Sequence, residues 1–155
     1  MTAFRCLPID PAIAERFRAT GLDDGGNTLR RLTADDASPC RVCLCNAQPG
    51  EPVLLGSYHL PRPRGIYWTP SPIFVHATPC APFVASETIP GIVRGRLVSV
   101  RAYDAADQCV YDLGHAGDGD TIDAPLAHAL ADPRTAFVNI HTARPGCLLC
   151  RVEAG

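Results

Sequence analysis

The chain contains no lysine and only one methionine and one tryptophan, and aromatic residues make up just 6% of it. Its 14 basic residues, all arginines, are outnumbered by 16 acidic ones, which gives a formal net charge of −2. Nucleic acids and anionic membranes attract proteins with a basic surface, and this composition does not supply one. We therefore expect neither a nucleic-acid partner nor a membrane partner.

Long hydrophobic runs are also missing. Residues 73–85 come closest, but polar residues and prolines interrupt them, and no stretch approaches the roughly 18 apolar residues of a membrane-spanning helix. The N-terminal segment lacks the apolar core of a secretory signal peptide. We therefore expect a cytoplasmic location. Reducing conditions there favour free thiols, metal ligands or redox groups over structural disulfides among the eight cysteines.

What is present predicts a single α+β domain over residues 1–155, with a mainly antiparallel sheet, two helices and long proline-rich loops. The length and the 46% of hydrophobic residues suit one core. Turn residues predict two antiparallel hairpins, one of strands 97–103 and 109–113 and one of strands 135–141 and 147–152. The predicted strands, all placed in one sheet, are residues 4–7, 28–33, 41–45, 53–58, 73–76, 97–103, 109–113, 135–141 and 147–152.

Two helices and two long loops complete the predicted domain. One helix covers residues 12–19 after the N-cap Asp10, and a second follows Asp120 or Asp123. Loops of about 15 residues are uncommon in compact domains and often carry a functional lid. We expect the first loop to border a binding site. The two loops are residues 59–72, which contain four prolines, and residues 77–91, which contain three.

Five short motifs are spread along the chain: PCRV at 39–42, PGE at 49–51 followed by VLL, PIFV at 72–75, RAYDA at 101–105 and HTARPGC at 141–147. Together they resemble a bacterial family known only as number 1203 among the domains of unknown function, and the match runs almost end to end. The resemblance implies no particular activity. It places Cys40 and Cys147 in family-like motifs, whereas Cys43, Cys45 and Cys150 are additions to the family pattern.

Two C-x-x-C pairs, Cys40 with Cys43 and Cys147 with Cys150, raise the possibility of a four-thiolate zinc site. Against zinc, neither pair is followed by the glycine of a zinc knuckle, and both run into strand-like sequence, where residues three apart face opposite sides. We therefore favour buried, free cysteines and assign no metal ligands and no cofactor. Cys40 with Cys147 is the better candidate for a thiol pair.

Strand alternation collects polar side chains on one face of the sheet, namely Arg101, Tyr103, Asn139, His141 and Cys147. Such a face can bind a carboxylate or phosphate, move protons and present a thiolate. The plainer alternative is a solvated face with Arg101 paired to an aspartate nearby, Asp104 or Asp112. The candidate catalytic residues are Cys147, His141, Arg101 and Cys40, and the candidate substrate-binding residues are Arg41, His59, Tyr67, Trp68, Tyr103 and Asn139.

We therefore expect a small domain that binds or acts on a small molecule at this face, under the loop 59–72. Two alternatives stay open: a cysteine-based structural zinc or thiol redox module, and a protein-interaction domain without a small-molecule site. A metal analysis would separate the zinc or thiol redox module from the other two hypotheses. The sequence leaves open whether the chain is an enzyme and which oligomeric state it adopts.

Overall fold

The computed structural model describes residues 3–35 and 38–155, and its element order confirms the α+β class with antiparallel strands. Helix α1 spans Pro11–Thr20 and helix α2 spans Asp123–Ala131. None of the helices in these residues has the length and apolar character that crossing a bilayer requires. The strands are β1 Phe4–Leu7, β2 Arg30–Thr33, β3 Pro52–His59, β4 Pro70–His76, β5 Leu97–Tyr103, β6 His115–Asp118, β7 Phe137–Thr142 and β8 Leu148–Ala154.

The strands form two sheets, so the prediction of one sheet is wrong. Five strands pair in the order β1-β8-β7-β5-β6, and three pair in the order β2-β3-β4. The outer edge of β4 does not continue into β5 because the segment around Cys40 already covers it. Cys40 bridges to Phe74, and the Arg41 N–H donates to the Phe74 carbonyl at 3.0 Å.

The predicted strand 41–45 is a tight turn. The Leu44 N–H donates to the Cys40 carbonyl at 3.0 Å, and Leu44 takes a positive φ of 55°. Val42 and Leu44 are both buried, which produces the alternation that suggested a strand. Here the turn, and not an extended backbone, directs them inward.

The first predicted hairpin is also wrong in its second strand. After one bridge from Tyr103 to Cys109, the chain forms a 3-10 turn over Tyr111–Leu113, which inserts Leu113 into the core. The strand that forms the hairpin with β5 is β6, which begins at His115. The second hairpin is confirmed, since β7 and β8 pair antiparallel with a register shift between Ile140 and His141.

The first helix follows its predicted signals. The Asp10 carboxylate accepts the Ala12 N–H at 3.0 Å, and the left-handed Gly21 ends α1. The expected cap of α2 is wrong, because both candidate aspartates bind elsewhere. Asp120 accepts the Gly95 N–H, and Asp123 pairs with Arg94, so α2 begins without a side-chain cap.

Within the described residues, two large hydrophobic clusters lie on opposite sides of the five-stranded sheet, and a small third cluster lies around Val53 of the three-stranded sheet. On one side, Val100 and Ile140 belong to the cluster that holds Leu126 of α2. On the other, Leu148 joins Phe17 of α1 and Tyr58 of β3. Leu149 lies in the first cluster although it was expected beside Arg151, because the irregular pairing of β7 with β8 breaks strict alternation.

Candidate functional site

The polar face predicted for the five-stranded sheet is formed by β5 and β7, on the side that faces away from α2. Asn139 lies between Arg101 on β5 and Arg151 on β8 in the strand register, and His141 lies opposite Ser99. Asn139 is 1% exposed and His141 is 3% exposed. Burying such groups costs free energy unless they are hydrogen-bonded, so their partners decide what the face can do.

The start of the proline-rich loop covers this face. The Arg62 guanidinium lies 4.2 Å from the centre of the Phe137 ring, and the Arg62 carbonyl accepts the Asn139 side-chain amide at 3.3 Å. Asp107 fixes the loop from the far side, because it pairs with Arg62 and accepts the Arg64 N–H at 2.7 Å. The loop therefore forms a wall over the strands.

The aromatic residues of the loop serve to hold it in place. The Tyr67 and Tyr111 hydroxyls are hydrogen-bonded at 2.6 Å, and the Tyr67 ring meets the Tyr103 ring edge to face. Trp68 donates its indole N–H to the Leu60 carbonyl at 2.9 Å and contacts the His59 ring. None of these four predicted substrate-binding residues, Tyr67, Tyr103, Trp68 and His59, lines the cavity described next.

A cavity of about 220 Å³ lies where the loop, the start of α1 and the β7–β8 face meet. We call it the sheet-face cavity. Arg151 lines it, and its guanidinium makes no hydrogen bond within the described part of the chain; its one ion pair there, to Glu153, is long at 3.6 Å. Asn139 lines it too, and its Oδ1 accepts no hydrogen bond from residues 3–35 or 38–155. The lining residues are Leu7, Pro8, Ile9, Asp10, Tyr58, Leu60, Pro61, Arg62, Asn139, Leu148, Cys150 and Arg151.

The candidate catalytic residue His141 lies outside this cavity. Its Nδ1 is 2.8 Å from the Gly146 carbonyl, and its Nε2 is buried without a partner among the described residues. Burial lowers the pKa of His141 to about 4, with further lowering by Arg101 and Arg41. The imidazole is therefore neutral at pH 7, so it does not act as a cation toward Cys147.

Arg101 does not form the ion pair of the solvated-face alternative. Its Nε donates to the Ser99 hydroxyl at 3.2 Å. Asp112 pairs with Arg134 instead, and Asp104 accepts N–H groups of its own turn. Arg101 lines a second, more open cavity of about 350 Å³ beside Tyr111.

Arg41 is a buried connector and does not line the sheet-face cavity. Its Nε donates to the Leu148 carbonyl at 2.6 Å, and its Nη1 donates to the Pro39 carbonyl. Burial lowers the pKa of Arg41 to about 10, which still leaves it charged at neutral pH. Cys40 and Cys147 both interact electrostatically with this guanidinium, and the adjacency of the two thiols stays a prediction.

The two C-x-x-C pairs have different neighbours. Cys150 contacts Cys6, whereas Cys40 and Cys43 lie beside His76 and Cys80. One ligand atom from each of these last four residues lies within 4.8 Å of all the others. We call this group the thiol–imidazole cluster. The hydrogen bond from the Cys43 thiol lowers the pKa of Cys40 to about 4 and raises that of Cys43.

Sequence reasoning missed two members of this cluster, and among the residues that line the cavity it singled out only Asn139 as a site residue. His76 and Cys80 form an H-x-x-x-C pair at a strand end, which is a ligand spacing that could have been set beside C-x-x-C. Arg151 shares the sheet face with Asn139 but was not singled out as a site residue.

Comparison with known proteins gives one match. A family model described as a protein of unknown function (DUF1203) matches residues 37–154. No curated protein and no solved structure matches the chain. The match covers most of both regions described above, including all four residues of the thiol–imidazole cluster, together with Asn139 and Arg151.

Proposed function

We propose that this chain, which belongs to the DUF1203 family, binds a small carboxylate in the sheet-face cavity. The observation that carries the proposal is that, within the described residues, the Arg151 guanidinium has hydrogen-bond donors without acceptors. Its guanidinium has five N–H donors, lines the cavity and donates no hydrogen bond within the described residues. A half-buried cation of this kind is completed by an anion that can accept two parallel hydrogen bonds.

The aromatic ring of Phe137 fixes the orientation of Arg151. Its guanidinium lies 5.2 Å from the centre of the Phe137 ring, which also contacts Arg62. Contact with a ring face leaves the edge of the guanidinium free to donate, because the donors lie in its plane. Arg62 already pairs with Asp107, so Arg151 is the cation available to a ligand.

Asn139 adds a second requirement. Its amide N–H₂ donates to the Arg62 carbonyl, while its Oδ1 accepts no hydrogen bond within the described residues. A ligand that supplies a hydroxyl or amino group to this oxygen gains a hydrogen bond, worth about 0.5–1.5 kcal/mol. The matching ligand is a hydroxy or amino carboxylate.

The volume restricts the ligand further. At about 220 Å³, the cavity is smaller than the roughly 300–1,000 Å³ of sites that enclose drug-sized molecules. A short-chain acid fits better than a nucleotide or a cofactor. Since neither His141 nor Cys147 lines the cavity, the proposal is one of binding and names no reaction.

The test is an NMR-detected titration with L-malate and with succinate, which is the same diacid without the hydroxyl. We expect shifts at Asn139 and Arg151, with malate binding about tenfold more tightly, equivalent to about 1.4 kcal/mol. Arg151→Gln should abolish binding. The matched control is Arg5→Gln, because Arg5 is an exposed arginine on β1 that lies opposite Glu153 of β8. Equal binding by the Arg151→Gln and Arg5→Gln variants would contradict the proposal.

A further inference from the structure

The thiol–imidazole cluster has the composition and the spacing of a metal centre. Cys40 and Cys43 come from the turn that follows Pro39, and His76 is the last residue of β4. Cys80 follows four residues later in the second proline-rich loop. Thiolates with one imidazole are the ligand set that Zn²⁺ takes in closed tetrahedral sites.

The distances fit one ion at the centre of the group. A tetrahedron with metal–sulfur bonds of about 2.3 Å has sulfur–sulfur edges of about 3.8 Å, and a sulfur–nitrogen edge is about 3.6 Å. The Cys40 and Cys80 sulfurs are 3.8 Å apart, and the Cys43 sulfur is 3.7 Å from His76 Nδ1. A disulfide needs a sulfur–sulfur distance of about 2.05 Å, so the geometry is that of separate ligands.

The backbone curls around the ligands as a metal-binding turn requires. Leu44, directly after Cys43, adopts a φ of 55°, the left-handed conformation that glycine usually supplies. The turn before it, closed by the Leu44 N–H that donates to the Cys40 carbonyl at 3.0 Å, lets the two cysteines three apart point to one side. The His76 N–H donates to the Cys40 sulfur at 3.4 Å, which stabilises a thiolate at that position.

Neighbouring groups orient the His76 ring and offset the charge of the cluster. His76 Nε2, on the far side of the ring from Nδ1, lies 3.7 Å from the Glu51 carboxylate. A carboxylate at that position fixes the tautomer of a metal-bound histidine. Arg18 donates to the His76 carbonyl at 3.1 Å and interacts electrostatically with Cys80. Three thiolates and one Zn²⁺ carry a net charge of −1, which Arg18 offsets.

We propose that Cys40, Cys43, His76 and Cys80 bind one Zn²⁺ ion in a closed structural site. Four protein ligands leave no open position for water or substrate, so the ion joins segments and performs no catalysis. It ties the turn 40–45, the end of β4 and the loop 77–91 to one point. This site is separate from the sheet-face cavity and does not depend on it.

The test measures metal content in protein purified without a histidine tag and the absorption of Co²⁺ added to metal-free protein. We expect one zinc per chain and the visible bands of tetrahedral cobalt–thiolate coordination. Cys43→Ser and Cys80→Ser should each lower zinc affinity by at least about 100-fold, equivalent to about 2.7 kcal/mol. Cys80→His should keep one zinc per chain, because it restores a ligand.

The matched control is Cys45→Ser. Cys45 is exposed and lies two residues from Cys43, but it is not a member of the cluster. It should bind zinc like the unchanged chain. Three results would overturn the proposal: no uptake of Zn²⁺ or Co²⁺ by the folded chain, iron in place of zinc, or undiminished zinc in both Cys43→Ser and Cys80→Ser. Circular dichroism of each variant separates loss of ligand from loss of fold.

Discussion

The sheet-face cavity and the thiol–imidazole cluster are assembled in opposite ways. The cluster takes its ligands from two short pairs, Cys40 with Cys43 and His76 with Cys80, so local backbone geometry sets most of its shape. The cavity takes its walls from residues between Leu7 and Arg151, held by packing across four strands and two connecting segments. A single ligand change should therefore disable the cluster without affecting the fold, whereas the cavity should be sensitive to packing.

The strongest way to test this difference is to remove the aromatic ring that lies under the two arginines of the cavity. Phe137 is fully buried and stacks on Tyr103 at 5.1 Å, and both cavity arginines lie over it. Phe137→Ala should lower the free energy of unfolding by about 3–5 kcal/mol, because it leaves a large void. Denaturant titration measures the loss.

The control for that change is Phe74→Ala, a partly buried position in the three-stranded sheet. It should cost less than Phe137→Ala, and Phe137→Ala should keep its zinc while it loses carboxylate binding. An equal loss of unfolding free energy at both positions would mean that the Phe137 ring contributes no more to packing than the Phe74 ring does.

The next effect is a pH dependence of stability that comes from His141. Its folded pKa of about 4 lies below the ordinary value of 6.5, so below pH 6.5 the unfolded chain takes up a proton that the folded chain does not. Stability should therefore be full above pH 6.5 and fall by about 3 kcal/mol as the pH drops to about 4. Denaturant midpoints across this range measure the slope.

His141→Gln removes this titration, so its stability should change less between pH 6.5 and pH 4 than that of the unchanged chain. His128→Gln, at an exposed position on α2, is the matched control and should keep the original slope. Parallel curves for all three proteins would show that burial of His141 does not control acid stability.

A smaller effect compares the two proline-rich loops after metal removal. A chelator should speed amide hydrogen exchange in residues 78–83 by about 10- to 100-fold, equivalent to about 1.4–2.7 kcal/mol of local stability. Residues 61–67 should not change, because Asp107 and Tyr111 hold that loop without metal. Mass spectrometry after brief exchange measures both loops, and equal acceleration in both would contradict the difference.

The smallest effect is expected at the tip of the first loop. Ile66 is 85% exposed, so Ile66→Ser should change the free energy of unfolding by less than about 0.5 kcal/mol. Carboxylate binding should also be unchanged, since Ile66 does not line the cavity. A larger loss in denaturant titration would show that the tip packs on something in solution.

Prediction from sequence succeeded where side chains alternate regularly. Strand β5 over Leu97–Tyr103 and the part of β7 that pairs with it follow the period of two, and Asn139 was placed on the same face as Arg101. The α1 boundaries followed from Asp10 and Gly21, whose capping roles are local. These elements depend on short-range rules that a single sequence contains.

The wrong predictions concern backbone geometry that the residue types do not indicate. A leucine at position 44 gives no sign of its left-handed conformation, so the turn 40–45 was taken for a strand. His76 and Cys80 meet Cys43 only because the turn bridges to β4, and that contact spans more than thirty residues. Long-range pairing of this kind follows from the packing of two sheets and not from any local pattern.

Arg41 links the two sheets, and this has a consequence for how the protein unfolds. Its backbone N–H donates to Phe74 in the three-stranded sheet, and its side chain donates to Leu148 in the five-stranded sheet. Separating the sheets would break the bond to Leu148 and leave a donor of this buried cation and the Leu148 carbonyl without partners at the same moment. Opening at this seam is therefore all or none, and the thiol–imidazole cluster and the sheet-face cavity should be lost in one cooperative transition.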